Sequence, residues 1–382
     1  MREENFIISE RWKNQKDRTR VMAMSVHWVH KEGEWQQVRT ELVWRKIKIR
    51  KSLDEVCHYL EMEMPVSERE KIDKHDRIEI RVYNPYISQE EDNFHCRRIT
   101  TVLIDNIAEH YDSHSQSLTV IGRSPARDII DSAWSDRIIE PTLEEAAQKA
   151  AEPFGIRIDR ESIGSPPTDH IFQFSWESES PWGKLINECD SQGFIFTSSE
   201  DGSLYLWKVA TSIRHEREGG EEFSGTTFFH LSVDPQKGHN IREIEILREG
   251  SGQFHEYVAK GNFMEKKVLD EKCKSHRKLE ISLSDNNISE IALERRAITE
   301  KRRRQGNKIN VTVDGWGLTE LQIKKLGNTK GKEIFWNPNF LVPVDFPFLN
   351  YNEQLLISTV EHTAGLDGMT SVITLVDKEV YY

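Results

Sequence analysis

No run of apolar residues in this 382-residue sequence approaches the about eighteen that a membrane helix needs. The opening stretch, MREENFIISERWKNQKDRT, carries charges where a secretory signal needs an apolar core, so neither export nor membrane insertion by its own signal is expected. Cysteine is scarce. Cys57, Cys96, Cys189 and Cys273 lie far apart with no CxxC pair, which argues against a disulfide framework or a zinc knuckle and fits a reducing compartment. Cys273 with His276, and the neighbours Cys57-His58 and His95-Cys96, each supply at most half of a metal site, so no metal and no cofactor is expected. Positive charge is in deficit: 52 Lys and Arg stand against 64 Asp and Glu, and a net charge of −12 disfavours nucleic acid as the partner of the whole surface. The spacings of a zinc protease, a nucleophile elbow or a P-loop are missing too.

What the sequence does hold is β pattern. Val102-Leu103-Ile104-Asp105-Asn106-Ile107 lines up with Leu355-Leu356-Ile357-Ser358-Thr359-Val360, and Leu118-Thr119-Val120-Ile121 with Ile373-Thr374-Leu375-Val376. Both copies read as hairpins, with connections from Ala108 to Ser117 and from Glu361 to Val372 that differ by two residues, and an internal duplication of a β unit is expected. Val43, Ile47 and Ile49 alternate with Trp44, Lys46, Lys48 and Arg50; Leu53 to Met64 ends at Pro65; Ile78, Ile80 and Val82 alternate with Glu79 and Arg81. These make one antiparallel β domain with the first hairpin. Ile244, Ile246, Phe254 to Lys260, and Ile309, Val311 and Val313 resume the pattern. Pro338, Pro343 and Pro347 point to edges or bends.

Between the β regions lie three helix signals. Thr142 caps an alanine-rich run with Glu145 three residues on. Ser180-Pro181 opens a second helix with Trp182, Leu185, Ile186 and Cys189 on one face, ended by Gly193, which makes Cys189 a core residue rather than a nucleophile. Two strands then flank Glu200-Asp201-Gly202-Ser203 as a hairpin turn. Thr211 to Gly238 reads as a linker. Asn287 with Glu290 opens a third helix, whose Ile288, Ile291, Ala292 and Ile298 share a face and whose end, Lys301-Arg302-Arg303-Arg304, suits the negative pole of the helix as a solvated or subunit-facing turn. After the first hairpin, Gly122-Arg123-Ser124-Pro125 and Asp128-Ile129-Ile130-Asp131 read as a strand exit whose Arg and Asp side chains tie neighbouring segments together.

Several blocks in order carry a family resemblance: GRSPARDIIDSAW, ESPWGKLINECDSQGFIFTSSEDGSLYLWK, YVAKGNF, ERRAITEKRRRQGNKINVTVDGWG and FWNPNFLVPVDFPFLNYNEQLLISTVEHTAGLDGMTSVITL. Together, over residues 30–382, they resemble the baseplate hub proteins of Mu-like contractile-tailed phages and prophages, which are similar to the hub of the T-even phages. The resemblance implies a β-rich α+β chain with two related antiparallel β-barrel domains and further α+β modules. It implies a homotrimer whose six barrels form a pseudo-sixfold ring between the sixfold tail tube and the threefold spike. The expected segments are a charged leader (1–28), a first barrel (29–125), an α+β module (126–215), a linker and β segment (216–285), and a helix with the second barrel (286–382). The leader and the polar insert near residues 89–94 have no counterpart in the family.

The partners implied are further copies of the chain, the tail tube, the central spike and baseplate wedge proteins, with passage of DNA through the central channel. The setting implied is the virion baseplate, assembled in the host bacterial cytoplasm. The sequence suggests interface or junction roles for Gly122, Arg123, Ser124, Asp128, Asp131, Arg302, Arg303, Arg304, Trp316, Trp336 and Phe340. No catalytic residue is expected. The rival readings are a tail-associated peptidoglycan hydrolase, for which no carboxylate pair is singled out, and a carbohydrate-binding module suggested by ten Trp.

Overall fold

Two long hairpins organise the chain. A computed structural model describes residues 19–31, 34–83, 96–140, 142–160, 172–192, 194–208, 231–232, 241–248, 250–261, 263–283, 290–318, 335–349 and 351–381. Seven strands come first: β1 (Arg20–Lys31), β2 (Glu34–Leu42), β3 (Lys46–Ser52), β4 (Tyr59–Met64), β5 (Arg77–Tyr83), β6 (Cys96–Tyr111) and β7 (Gln116–Arg123). The short helix α1 (Arg127–Asp131), β8 (Trp134–Glu140), α2 (Leu143–Ala151), β9 (Ile158–Arg160), β10 (Phe172–Glu179), α3 (Trp182–Gln192), β11 (Phe194–Ser198) and β12 (Leu204–Lys208) follow. The rest comprises β13 (Leu231–Ser232), β14 (Ile241–Leu247), β15 (Glu256–Lys260), β16 (Glu265–Leu269), β17 (Lys278–Ser282), α4 (Glu290–Gln305), β18 (Lys308–Asp314), β19 (Leu341–Phe346), β20 (Tyr351–Gly365) and β21 (Gly368–Val376).

Thirteen strands join in one sheet, in the order β14-β18-β21-β20-β3-β4-β7-β6-β5-β1-β2, with β19 on β20 and β13 on β19. Its registers repeat a five-strand plan. In the first half β5 pairs the proximal part of β6, β7 returns along β6, and β4 and then β3 lie beyond β7. In the second half β19 pairs the proximal part of β20, β21 returns, and β18 and then β14 lie beyond it. The buried side chains repeat as well: Leu60, Met62 and Met64 on β4 are matched by Ile309, Val311 and Val313 on β18, all in one continuous core. Burying each such side chain contributes roughly 1.5–3 kcal/mol.

The pairing corrects the sequence alignment of the hairpins. Ile107 faces Val120 and Val360 faces Ile373, so Val120 corresponds to Ile373 and not to Leu375. With that shift the connections have equal length, 108–119 against 361–372. Apolar alternation has a period of two, so a slip of two residues keeps every side chain on its own face and leaves no mark in the pattern.

Three small units pack beside the large sheet. The strand pair β8–β10 and the three-stranded β11-β12-β9 sheet carry α2 and α3, with Trp176, Leu185, Cys189 and Phe196 in their core. The Thr142 cap forms, its Oγ1 accepting from the Glu145 amide at 3.2 Å, and Ser180 Oγ accepts from the Trp182 amide at 3.2 Å. Gly202, at φ +92°, makes the expected turn between β11 and β12. The β16-β15-β17 sheet is covered by α4.

Three further expectations change. The chain is already a sheet strand from Arg20, so the stretch to residue 28 is not a leader throughout; residues 1–18 lie outside the described residues. On α4 the buried face is Leu293 and Ala297, while Ile291 is 63% exposed, because the helix lies on β15 and Tyr257 rather than on the large core. Val43 is exposed and the strand begins at Lys46. Gly193, Asn287, Ile288, the insert near residues 89–94 and all but two residues of the expected linker lie outside the described residues.

Candidate functional site

Both long hairpins carry a β-bulge at the same place. The pairing skips Asp105 between Ile104 and Asn106, and skips Ser358 between Ile357 and Thr359. A bulge turns its extra side chain away from the regular alternation and twists the strand. Asp105 uses that freedom to receive two arginines from the segment after β7. Arg123 donates through Nε to Asp105 Oδ2 at 2.8 Å and through Nη2 to Asp131 Oδ2 at 2.5 Å. Arg127, buried, donates through Nη1 to Asp105 Oδ1 and to the Leu103 carbonyl, while its Nη2 meets His75 Nδ1 at 3.1 Å. Hydrogen bonding to the Arg123 guanidinium holds the Asp131 carboxyl below the usual carboxylate range.

The sequence reading thus found Arg123 and Asp131 and missed the centre of the cluster. Asp105 was legible as the one charge in the run VLIDNI. Asp128 is placed less centrally than expected, since among the described residues its carboxylate meets only the Nε of its neighbour Arg127, at 3.3 Å.

Ser124 fastens the large sheet to the α+β unit. Its amide donates to the His58 carbonyl at 3.0 Å, its Oγ accepts from the His58 amide at 3.2 Å, and the same Oγ meets Ser198 Oγ at 2.6 Å. Beside it the Ser198 amide donates to the Val56 carbonyl at 2.9 Å, and Thr101 Oγ1 donates to the Glu200 carbonyl at 2.8 Å. Gly122 allows the close passage: a Cβ there would lie 2.7 Å from the Leu103 carbonyl oxygen.

Where the two halves of the sheet meet, β3 pairs the distal part of β20, from Thr359 opposite Ser52 to Ala364 opposite Ile47. Lys48 Nζ lies 3.0 Å from Glu361 Oε2 across this junction, and Ser52 Oγ meets Thr359 Oγ1 at 2.9 Å. Beneath it Lys51, only 2% exposed, donates to Asn337 Oδ1 at 2.8 Å and lies 3.4 Å from Glu200. His362 is fully buried, with Nδ1 2.8 Å from Ser371 Oγ and Nε2 3.2 Å from the Trp336 carbonyl. Burial, with the Lys51 charge adding to it, pushes His362 down to about 3 and holds His58 well below its ordinary value.

Trp316, Trp336 and Phe340 are corrected from interface candidates to core residues. They are 2%, 1% and 7% exposed within the single chain, and Trp316 Nε1 donates to the Thr363 carbonyl at 2.9 Å. Trp316 packs at 5.0 Å against the His362 ring of β20, and all three rings belong to the core shared by the large sheet.

The basic end of α4 is also occupied by its own chain. Arg303 stacks on Tyr381 at 5.3 Å, Arg304 donates to Glu300 Oε1 at 2.6 Å and lies over Phe254 at 5.2 Å, and Arg302 borders a cleft with Glu353, Asp377 and Glu379. Aromatic faces and the preceding turn thus hold the guanidiniums of Arg303 and Arg304, which stay partly exposed. Among the described residues no group of His, Cys, Asp and Glu is arranged to hold a metal.

Comparison with known proteins connects this architecture to a family. No protein-family model matches the chain. The baseplate hub protein gp44 of Escherichia phage Mu is 25% identical over 308 residues, 74% of this chain and 73% of that protein. The 43 kDa tail protein of prophage MuSo2 from Shewanella oneidensis has the same fold, with a TM-score of 0.65 and 20% identity over 94% of this chain and 99% of that one. The tail protein from Neisseria meningitidis MC58 gives a TM-score of 0.67 and 15% identity over 95% and 98%. These relatives are named for structural parts of tails and not for enzymes. The chain is thus a relative, in sequence and in fold, of the baseplate hub and tail proteins of Mu-like phages and prophages.

Proposed function

We propose that this chain is a structural hub of a Mu-like phage or prophage baseplate, acting as a homotrimer that joins the sixfold tail tube to the threefold spike. The observation that carries the reading is the repeated five-strand plan, β3-β4-β7-β6-β5 against β14-β18-β21-β20-β19, with its paired bulges. Each repeat curls into a barrel in the ring. Three chains with two similar units each present six roughly equivalent surfaces to a sixfold tube, while the appended α+β units repeat three times and suit a threefold spike. The residues support an assembly role: buried polar groups at the junction tie segments of the chain together, and the Ser371–His362 pair among them is fully buried. The further partners are baseplate wedge proteins, and DNA passes through the central channel. The virion baseplate is the place of action, after assembly in the host cytoplasm. Class averages of the purified protein by electron microscopy test this: six similar lobes around an open centre are expected, and compact particles without a central opening would overturn it.

A further inference from the structure

The internal junction between the two repeats uses one edge of each, and among the described residues the other two edges are unpaired. The outer edge of β3 is covered by the distal part of β20. The strand equivalent to β3 is β14: Ile47 faces Met62 on β4 as Ile244 faces Val311 on β18, and Ile49 faces Leu60 as Ile246 faces Ile309. Among the described residues the outer edge of β14 pairs with nothing, so β14 ends the sheet. The segment equivalent to distal β20 is distal β6, from Asn106 to Tyr111, since Val360 corresponds to Ile107. Among the described residues this segment pairs only with β7; β5 stops at Leu103.

Burial shows what each bare edge lacks. Ile47 and Ile49 are fully buried, whereas Ile244 and Ile246 are half-exposed. Val360, His362 and Ala364 are buried, whereas Ala108, Glu109, His110 and Tyr111 are exposed, with Tyr111 at 56%. A bare strand edge displays a row of backbone donors and acceptors that another strand can pair.

We propose that β14 of one copy pairs antiparallel with distal β6 of a second copy, in the register of the internal junction. Carried over through the two equivalences, that register sets Ile244 opposite Tyr111, Glu245 opposite His110, Ile246 opposite Glu109 and Leu247 opposite Ala108. Ile244 and Tyr111 then bury each other on the inner face, and Glu245 meets His110 on the outer face, in place of the Lys48–Glu361 contact of the internal junction. The contact is head-to-tail and its two surfaces differ, so each copy keeps one of each for the next, as ring closure requires. This rests on the hub reading above and adds to it the edge, the partner strand and the register.

The test is the Glu245→Cys, His110→Cys double variant. Directly opposed residues of an antiparallel ladder have Cα atoms about 4.5–5.5 Å apart, within reach of a disulfide. Mild oxidation is expected to give covalent dimers and trimers on a non-reducing gel, with each single variant giving a signal at least about tenfold weaker, and light scattering before oxidation is expected to give a trimer. A trimer that does not cross-link overturns the strand pairing and leaves the ring reading standing. A monomer at every concentration overturns both. Should the variant fold poorly, amide exchange of the unaltered protein decides the matter. Alternate amides of Ile244–Arg248 and Ile107–Tyr111 are slowed about tenfold or more in the trimer if the edges pair, and exchange as exposed edges if they do not.

Discussion

Asp105 and Ser358 occupy the same bulge in the two halves of one sheet, and they solve it differently. The Ser358 side chain stays within its own hairpin, its Oγ donating to the Thr374 carbonyl at 3.2 Å, while its carbonyl reaches across to accept from the Leu53 amide at 2.8 Å. Asp105 instead collects Arg123 and Arg127. The charged version stands where the chain leaves the sheet for the α+β unit, and the neutral version where it does not.

Removing the carboxylate leaves buried Arg127 with only the longer contact to Asp128 as counter-charge. Asp105→Ala is expected to cost about 2–3 kcal/mol, because a poorly compensated buried charge is more costly than the pair was favourable. Asp128→Ala, which loses only a long contact from a half-exposed carboxylate to its neighbour, costs less than about 0.5 kcal/mol. Urea unfolding of the two variants checks the contrast; equal effects would remove Asp105 from the centre of the cluster.

Gly122→Ala is expected to destabilise by about 1–3 kcal/mol, since the new methyl meets the Leu103 carbonyl oxygen, a backbone atom that cannot turn aside. Thermal unfolding measures it.

The buried histidines give a pH dependence. His362 is neutral in the folded chain down to about 3, while in the unfolded chain the ring takes a proton near its ordinary value of 6.5. Stability is therefore full above 6.5 and falls as the pH drops from 6.5 towards 3, by about 1.4 kcal/mol per pH unit for each such histidine. His58 acts in the same direction. Melting temperatures from pH 7 to pH 4 are expected to fall, and to fall less in His362→Gln, which starts from a lower value at pH 7.

Trp336→Ala is expected to cost about 3–5 kcal/mol in the stability of the single chain, by opening a cavity in the shared core. Loss of assembly without loss of folding stability in this variant would return Trp336 to an interface.

The strands were legible because one face of each is buried and alternation reports that directly, as with Ile78, Ile80 and Val82. The duplication was legible for the same reason, but its register was not, since a slip of two residues is silent. The interface tryptophans failed for a different cause. Trp316 and Trp336 look the same in sequence whether a ring covers its own sheet or a neighbour's, and only their burial within the single chain decides it. The aromatic partners of Arg303 and Arg304 were not legible either, because Tyr381 and Phe254 are distant in sequence. Ser124 and Gly122 were found because a glycine and a serine at a strand exit have few other uses.

The most direct test of the hub reading is the mass of the purified protein by light scattering after size exclusion, over a range of protein and salt concentrations. A stable mass three times the 44.6 kDa of the chain is expected. A mass of one chain at every concentration would contradict the homotrimeric ring.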